Sequence, residues 1–107
     1  MSNVIDVTDA SFDAQVLGGK DVVLVDFWSA GCGPCMAMAP SLELLAEEYQ
    51  GRAKIVKVDA RNNPETAIRF AIRAVPTLMV FKDGERLETS VGGRSKADLQ
   101  AMIDKYL

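Results

Sequence analysis

The sequence predicts an α/β fold, in which a mixed five-stranded sheet carries four helices divided between its two faces. Three observations support this prediction. Apolar runs of strand length alternate with stretches whose apolar residues recur every three or four positions. The last two strand-like runs are separated by Asp83-Gly84, a strong signal for a two-residue hairpin turn. Strands joined by a helix run parallel and strands joined by a hairpin run antiparallel, so the sheet must be mixed.

The N-terminal part of the chain predicts one strand and one helix. Residues 4–7 are mostly apolar and form the first, short strand. A helix is expected over residues 9–17, with Thr8 as its candidate N-cap and Gly18-Gly19 ending it. These elements open the predicted order β-α-β-α-β-α-β-β-α.

Residues 22–28 predict the central strand, because they form a continuous apolar run that only Asp26 interrupts. Such a run is typical of a strand covered on both faces. The next helix is expected over residues 32–49, and Pro40 should kink it because proline has no N–H for the helical hydrogen bond. Six residues at spacings of three and four are expected to face the core. They are Cys35, Met38, Ala39, Leu42, Ala46 and Tyr49.

The second half of the chain supplies the remaining elements. Residues 53–58 predict a strand, and residues 64–71 predict a short helix that begins at a proline. Residues 77–82 and 86–91 predict the two strands of the hairpin. Ser95 is a candidate N-cap for the last helix. The apolar stripe of that helix is expected to be Leu99, Met102, Ile103, Tyr106 and Leu107.

Length and composition indicate a single domain over residues 1–107. The chain has 107 residues, of which 49% are hydrophobic, and this suffices for one packed core. A net charge of −3 without a long basic run argues against nucleic acid or an anionic membrane as partner, so we expect protein partners and a monomer. The first residues lack the pattern of a signal peptide, and no apolar run approaches the roughly 18 residues of a membrane span. The expected location is therefore cytoplasmic.

The two cysteines of the chain lie in the motif Cys32-Gly33-Pro34-Cys35, directly after the predicted central strand. At i and i+3 in a first helical turn, they can lie within the roughly 4.4–6.8 Å between Cα atoms that a disulfide needs. A structural crosslink explains the motif poorly, because closing a four-residue loop contributes about 2 kcal/mol, against about 4.7 kcal/mol for a hundred-residue loop. Without histidine, a zinc site would have to be shared between chains or completed by carboxylates. The motif therefore predicts redox chemistry and no metal.

Cys32 and Asp26 are the candidate reactive groups. Unpaired backbone N–H groups and the positive end of the helix dipole favour the thiolate form of Cys32. The carboxyl group of Asp26 lies inside a covered strand, so burial should raise its pKa and let it exchange protons with the dithiol. Alternatively, Asp26 is a structural aspartate paired with Lys57 on the neighbouring strand. The two interpretations are compatible.

Segments spread over nearly the whole chain resemble the thioredoxin family in residue type and order. They are Asp26-Phe27-Trp28, Cys32-Gly33-Pro34-Cys35, Pro40, Lys57, Val75-Pro76-Thr77, Phe81-Lys82-Asp83-Gly84-Glu85 and Val91-Gly92-Gly93. A lone C-x-x-C would be weak evidence, but this combination is specific. The resemblance implies the thioredoxin fold and the reduction of disulfides in target proteins. It also implies a thioredoxin reductase as electron donor, and no cofactor.

The same resemblance assigns roles to individual residues. It makes Cys32 the attacking thiol and Cys35 the buried resolving thiol, with Asp26 and Lys57 as the buried pair that handles protons. It also implies a cis peptide bond before Pro76, which the base rate of about 5–6% for X–Pro bonds would not predict. The implied substrate groove consists of Trp28, Gly31, Gly33, Pro34, Val75, Pro76 and Gly92.

Two positions depart from the usual pattern of the family. Gly31 stands where a tryptophan usually precedes the first cysteine, so a large flat contact surface is missing. Met36 stands where lysine or arginine is usual, which removes a cation near the thiolates and leaves Arg73 as the nearest candidate charge.

An alternative class is a binding module in which the dithiol is incidental. Asp26 and Lys57 argue against it, because a scaffold has no reason to bury a charge.

Overall fold

The computed structural model describes residues 2–107, and a five-stranded sheet forms its centre. The strands are β1 (Ile5–Asp6), β2 (Val22–Trp28), β3 (Ala53–Asp59), β4 (Thr77–Lys82) and β5 (Glu85–Val91). Their order across the sheet is β1-β3-β2-β4-β5. β1 and β2 run parallel to β3, whereas β4 runs antiparallel to both β2 and β5. The predicted mixed sheet is confirmed, and the strand that leads to the dithiol lies in its middle.

Within residues 2–107, three α-helices and a short π-helix cover the sheet. They are the π-helix Asp13–Leu17, α1 (Gly33–Glu48), α2 (Pro64–Arg69) and α3 (Lys96–Asp104). Buried residues of α1 and α3 pack on one face of the sheet, and those of the π-helix and of the segment after α2 pack on the other. Helices on both faces were predicted, and this is confirmed. No helix of the described residues combines the length and the apolarity needed to cross a membrane.

Two apolar clusters, one on each face, join the helices to the sheet. On the first face, Leu24 of β2 packs with residues of α1 and α3, among them Leu42 and Leu99. On the second face, the ring of Phe12 lies 5.9 Å from that of Phe81 in an edge-on arrangement. Fully burying one such side chain contributes roughly 1.5–3 kcal/mol. β2 is therefore covered on both sides, as its apolar run predicts.

The predicted inward stripes are wrong at two positions. Ala39 and Leu107 are exposed, whereas Leu45, which was not predicted to face the core, is completely buried. Buried positions advance along α1 by alternating steps of three and four from Cys35 to Tyr49, so Ala39 lies at the edge of the stripe. The last residue lies beyond the end of α3, where no helix orients it towards the core.

The first helix is shorter than predicted. Instead of residues 9–17 with Thr8 as the cap, the helix covers Asp13–Leu17, and Phe12 precedes it without a side-chain cap. The hydroxyl of Thr8 lies 3.3 Å from the hydroxyl of Ser11 and accepts no backbone N–H of the helix. The prediction of Thr8 as an N-cap is therefore wrong.

Asp9 caps α2 from a distance. The N-cap residue of α2, Asn63, makes no capping bond of its own, and its Oδ1 accepts the backbone N–H of Asp9 at 3.0 Å. The carboxylate of Asp9 accepts the hydroxyl of Thr66 at 2.6 Å and the N–H groups of Thr66 and Glu65 at 2.8 and 3.3 Å. These bonds, that from the Thr66 hydroxyl foremost, lower the pKa of Asp9. The start of α2 is thus satisfied by a residue 57 positions away from Thr66.

Most other boundary signals agree with the structure. Asp83 and Gly84 have φ values of 53° and 77°, as the hairpin turn between β4 and β5 requires. The hydroxyl of Ser95 accepts the N–H of Asp98 at 3.1 Å and caps α3 as predicted. α2 ends two residues before its predicted end, because Ala71 takes a φ of 54° that no helix continues.

Candidate active site

Cys32 and Cys35 form a disulfide at the N-terminus of α1, with 5.3 Å between their Cα atoms. Cys32 is the N-cap residue of the helix and is half-buried, whereas Cys35 is only 2% exposed. β2 and α1 together position this pair, because the chain turns from the central strand into the helix over residues 29–32. One sulfur atom is therefore within reach of a partner, and the other is shielded by the helix.

The first turn of α1 favours negative charge on Cys32. The backbone N–H of Cys35 points at the Sγ atom of Cys32 at 3.2 Å, and Pro34 occupies a position where no N–H is needed. That turn contains no acidic side chain to oppose a thiolate. Met36, which follows the motif, is 46% exposed and adds an apolar contact surface without charge. When the bridge is open, the helix end stabilises the Cys32 thiolate.

The segment before β4 lies directly against Cys32. The Val75–Pro76 peptide bond is cis, the isomer that the resemblance implies. The Sγ atom of Cys32 lies 3.7 Å from the carbonyl oxygen of Val75, and the N–H of Gly92 donates to the carbonyl of Pro76 at 2.8 Å. The structure thus places Val75 against the half-buried Cys32 and Gly92 against Pro76, so predicted groove residues from two distant segments lie together.

A cavity of about 160 Å³ lies behind the disulfide and contains Asp26. It is lined by Val4, Asp26, Trp28, Cys35, Met36, Ala39, Leu42, Glu43 and Lys57. Asp26 is 3% exposed, its Oδ1 has no hydrogen-bond partner, and burial raises its pKa to about 7 although the charge of Lys57 opposes the shift. Asp26 and Cys35 thus line one cavity, which is large enough to hold a water molecule.

Lys57 lies next to Asp26 but interacts with other groups. The two residues are partners in the β2–β3 register, so their side chains share a face of the sheet. The Nζ atom of Lys57 nevertheless forms an ion pair with Asp6 at 3.7 Å and lies 5.4 Å from the centre of the Trp28 ring. Within the described residues no ion pair joins Asp26 to Lys57, so Lys57 acts on the buried carboxyl only through its field.

The loop before Cys32 is open at Gly31. This residue has a φ of 84°, and a Cβ atom placed on it would meet no heavy atom within 4 Å. Space for a larger side chain is therefore present, but an L-residue at this φ is strained. The sequence shows the missing tryptophan, whereas the left-handed backbone could not be predicted, because glycine adopts either sign of φ.

Sequence reasoning missed two residues at the cavity mouth, Val4 and Glu43. The carboxylate of Glu43 accepts the hydroxyl of Ser2, so the N-terminal segment is joined to α1 beside the cavity. One available signal was the spacing of Glu43, which follows Ala39 by one helical turn and Met36 by two.

Three features define a thiol-disulfide oxidoreductase. A disulfide lies where the central strand leads into a helix, a cis-proline segment lies against its half-buried sulfur, and a protonatable carboxyl group lines the cavity behind its buried sulfur. Comparison with known proteins gives the family. The thioredoxin family model matches residues 3–105. A thioredoxin of Staphylococcus aureus is 47% identical over 104 residues, covering 97% of this chain and 98% of the relative. A thioredoxin of the alga Porphyra purpurea is 44% identical over 105 residues, covering 98% of both chains. The chain belongs to the thioredoxin family.

Proposed function

We propose that Cys32 attacks disulfides of target proteins, that Cys35 resolves the resulting complex, and that a thioredoxin reductase returns the pair to the dithiol. The observation that carries this proposal is the contrast within one disulfide. The Cys32 sulfur is half-buried against the carbonyl of Val75, and Cys35 is enclosed with Asp26. Each sulfur is thus suited to one of the two steps.

In the first step, the thiolate of Cys32 attacks one sulfur of the target disulfide. A bond forms between Cys32 and that sulfur, and the other target sulfur leaves as a thiolate and takes up a proton. The N–H of Cys35 and the start of α1 stabilise the attacking thiolate. A substrate chain lies in a groove that we assign to Trp28, Gly31, Gly33, Pro34, Val75, Pro76 and Gly92.

In the second step, the thiolate of Cys35 attacks the sulfur of Cys32 in the mixed disulfide. The second target thiolate leaves, and the Cys32–Cys35 bridge closes, so two electrons have passed to the target. Asp26 acts as the base that removes the proton of Cys35, because its pKa of about 7 lets it accept a proton near neutral pH. Lys57, close by in the same cavity, limits the energetic cost of the charge on Asp26.

We further propose that residues 1–107 act as a single thioredoxin domain and as a monomer, without cofactor or metal. A reductase that restores the dithiol implies a compartment kept reducing, and we assign the protein to the cytoplasm on this basis. The net charge of −3 supports protein partners rather than nucleic acid.

Insulin reduction tests the chemistry. With dithiothreitol as electron donor, the protein should accelerate precipitation of the insulin B chain, and Cys32→Ser should abolish the acceleration. A scaffold with an incidental dithiol would give no turnover in either form. Rates with NADPH and a flavin-type thioredoxin reductase, compared with rates with a ferredoxin-linked reductase, then identify the electron donor.

A further inference from the structure

A second cavity, of about 290 Å³, opens beside Cys32 and shares no lining residue with the cavity of Asp26. Its walls come from the loop after β2, the loop after β3, α2 and the segment before Pro76. The lining residues are Ser29, Ala60, Arg61, Ala67, Ile72, Arg73, Ala74 and Val75. We call this space the arginine cavity.

The arginine cavity adjoins the attacking sulfur. Val75 lines it, and the carbonyl oxygen of Val75 is 3.7 Å from the Sγ atom of Cys32. Ser29 lines it too, and the carbonyl of Ser29 accepts the N–H of Cys32 at 3.3 Å. An extended chain advances about 3.3 Å per residue. Side chains one to three positions from a cysteine under attack can therefore reach the cavity.

The charges in this cavity have one sign. Arg61 and Arg73 are exposed, no acidic residue lines the cavity, and neither guanidinium forms an ion pair or donates a hydrogen bond within residues 2–107. The neighbouring carboxylate of Asp59 lies outside it and is engaged by the backbone N–H groups of Arg61 and Asn62 at 3.1 and 3.3 Å. A chain of net charge −3 thus presents two unpaired cations in a cavity that adjoins its reactive sulfur.

We infer that Arg61 and Arg73 select target disulfides whose cysteine is flanked by aspartate or glutamate. This inference rests on the proposed function, because it concerns the substrates of the same site. Guanidinium groups match carboxylates in shape and bind them with paired hydrogen bonds. The overall negative charge repels acidic segments at long range, so the preference comes from these two side chains. Exposed pairs are individually weak, and two of them give a preference of roughly fivefold at low salt.

Three disulfide-linked peptide dimers test the selection. Each dimer has the same sequence around its cysteine except for two neighbouring positions, which are glutamate, glutamine or lysine. The rate constant kcat/KM for reduction is measured with the full chain at about 0.01 M and about 1 M salt, between which the Debye length falls from roughly 30 Å to roughly 3 Å. At low salt the glutamate peptide should be reduced about fivefold faster than the glutamine peptide. At high salt the two peptides should be reduced at nearly equal rates.

Variants test whether the preference for the glutamate peptide comes from the two arginines. In the double variant Arg61→Gln, Arg73→Gln the ratio between the glutamate and glutamine peptides should fall to about one, and Arg61→Lys, Arg73→Lys should keep part of it. The double variant Lys20→Gln, Arg52→Gln is the matched control, because both residues are exposed, line neither cavity and lose the same two units of charge. Differences in the intrinsic reactivity of the peptides cancel when one ratio is compared across proteins.

Two outcomes would overturn the selection by Arg61 and Arg73. One is a ratio that stays the same in the double glutamine variant. The other is an equal loss in the control variant Lys20→Gln, Arg52→Gln, which would mean that net charge alone decides. Failure of the proposed function has a different signature, since the glutamine peptide would then not be reduced by any of the proteins.

Discussion

Asp26 and Lys57 are register partners on β2 and β3, yet no ion pair joins their side chains in the part of the chain that the structure describes. The ammonium group of Lys57 lies 3.7 Å from the carboxylate of Asp6 instead. Burial therefore dominates the behaviour of Asp26, and its pKa rises from 3.8 to about 7. Ionising this carboxyl in the folded protein has a cost that the unfolded chain does not bear.

Replacing Asp26 by alanine should stabilise the protein at pH 8. The pKa of Asp26 is higher in the folded protein than in the unfolded chain. The free energy of unfolding of the wild type, compared with that of Asp26→Ala, is therefore highest below about pH 4 and falls as the pH rises through about 7. The gain of Asp26→Ala should grow over this interval, level off above it and reach at most about 4 kcal/mol. Denaturant melts across this pH range measure the difference.

The change of the stability difference with pH separates the cost of ionising Asp26 from the effect of lost packing. Space left by the removed carboxyl changes the free energy of unfolding equally at every pH, so it shifts the curve without tilting it. Asp21→Asn, at an exposed position before β2, serves as the control for the loss of one aspartate carboxylate at the surface. A loss of stability in Asp26→Ala that grows as the pH rises from 4 to 8 would instead show that Lys57 pairs with Asp26 in solution. Disulfide exchange should be slower in Asp26→Ala if Asp26 is the base.

The two thiols of the reduced protein should react at very different rates. Cys32 is half-buried at the start of α1, whereas Cys35 is 2% exposed and faces the core. Brief treatment with iodoacetamide near neutral pH should modify Cys32 alone, and mass spectrometry of the digested protein locates the label. Earlier labelling of Cys35 would reverse the assignment of the attacking thiol.

Serine substitutions should separate attack from resolution. Cys35→Ser leaves the attacking thiol in place but removes the group that breaks the mixed disulfide, so covalent complexes with target proteins should accumulate. Cys32→Ser should trap none. Non-reducing gels of each variant mixed with disulfide-containing protein provide the measurement. Equal trapping by both variants would mean that either sulfur can attack.

Restoring the tryptophan at Gly31 should improve recognition of a flavin-type thioredoxin reductase. The ring adds contact area beside Cys32 while the dithiol and Asp26 stay in place, so the KM for the reductase should fall. The redox potential should move by less than about 30 mV, equivalent to roughly 1.4 kcal/mol for two electrons. Steady-state kinetics and a redox titration check both values.

The φ of 84° at Gly31 requires a matched control. Gly31→Ala carries the same backbone strain without the ring, so the comparison of Gly31→Trp with Gly31→Ala isolates the contact surface. A lower KM in the tryptophan variant alone supports the contact surface. A large shift of the potential in both variants, with KM unchanged, would show that Gly31 acts through the conformation of the loop.

Much of the fold could be predicted because its signals are local. The unbroken apolar run of β2, the Asp83-Gly84 turn and the Ser95 cap each depend on residues close together in sequence, and the structure agrees with all three. The capping of α2 by Asp9 was missed because Asp9 bonds to Thr66, a contact that no window of neighbouring residues contains. Propensity and capping rules are overridden where a distant group offers a better partner.

The residues of the candidate site could also be predicted from the sequence, whereas several of their contacts could not. The C-x-x-C motif and the charge within the apolar run of β2 predict Cys32, Cys35 and Asp26, and the resemblance assigns their roles. The structure places both cysteines at one helix start and Cys35 with Asp26 in one cavity. The actual partner of Lys57 depends on how β1 adds to the edge of β3, which places Asp6 within reach. The clustering of unpaired cations beside the attacking sulfur likewise arises only when distant loops meet in the folded chain.

The bond between Asp9 and α2 also couples the motions of distant parts of the chain. The amide hydrogens of Glu65 and Thr66 are held by the carboxylate of Asp9, so they exchange with solvent deuterium when that contact opens. Release of the Asp9 carboxylate and fraying of the first turn of α2 are thus one local opening. Because α2 leads into the segment that carries Arg73 and Val75, deuterium uptake at Glu65 and Thr66 would report how firmly the helix before the proposed substrate groove is held.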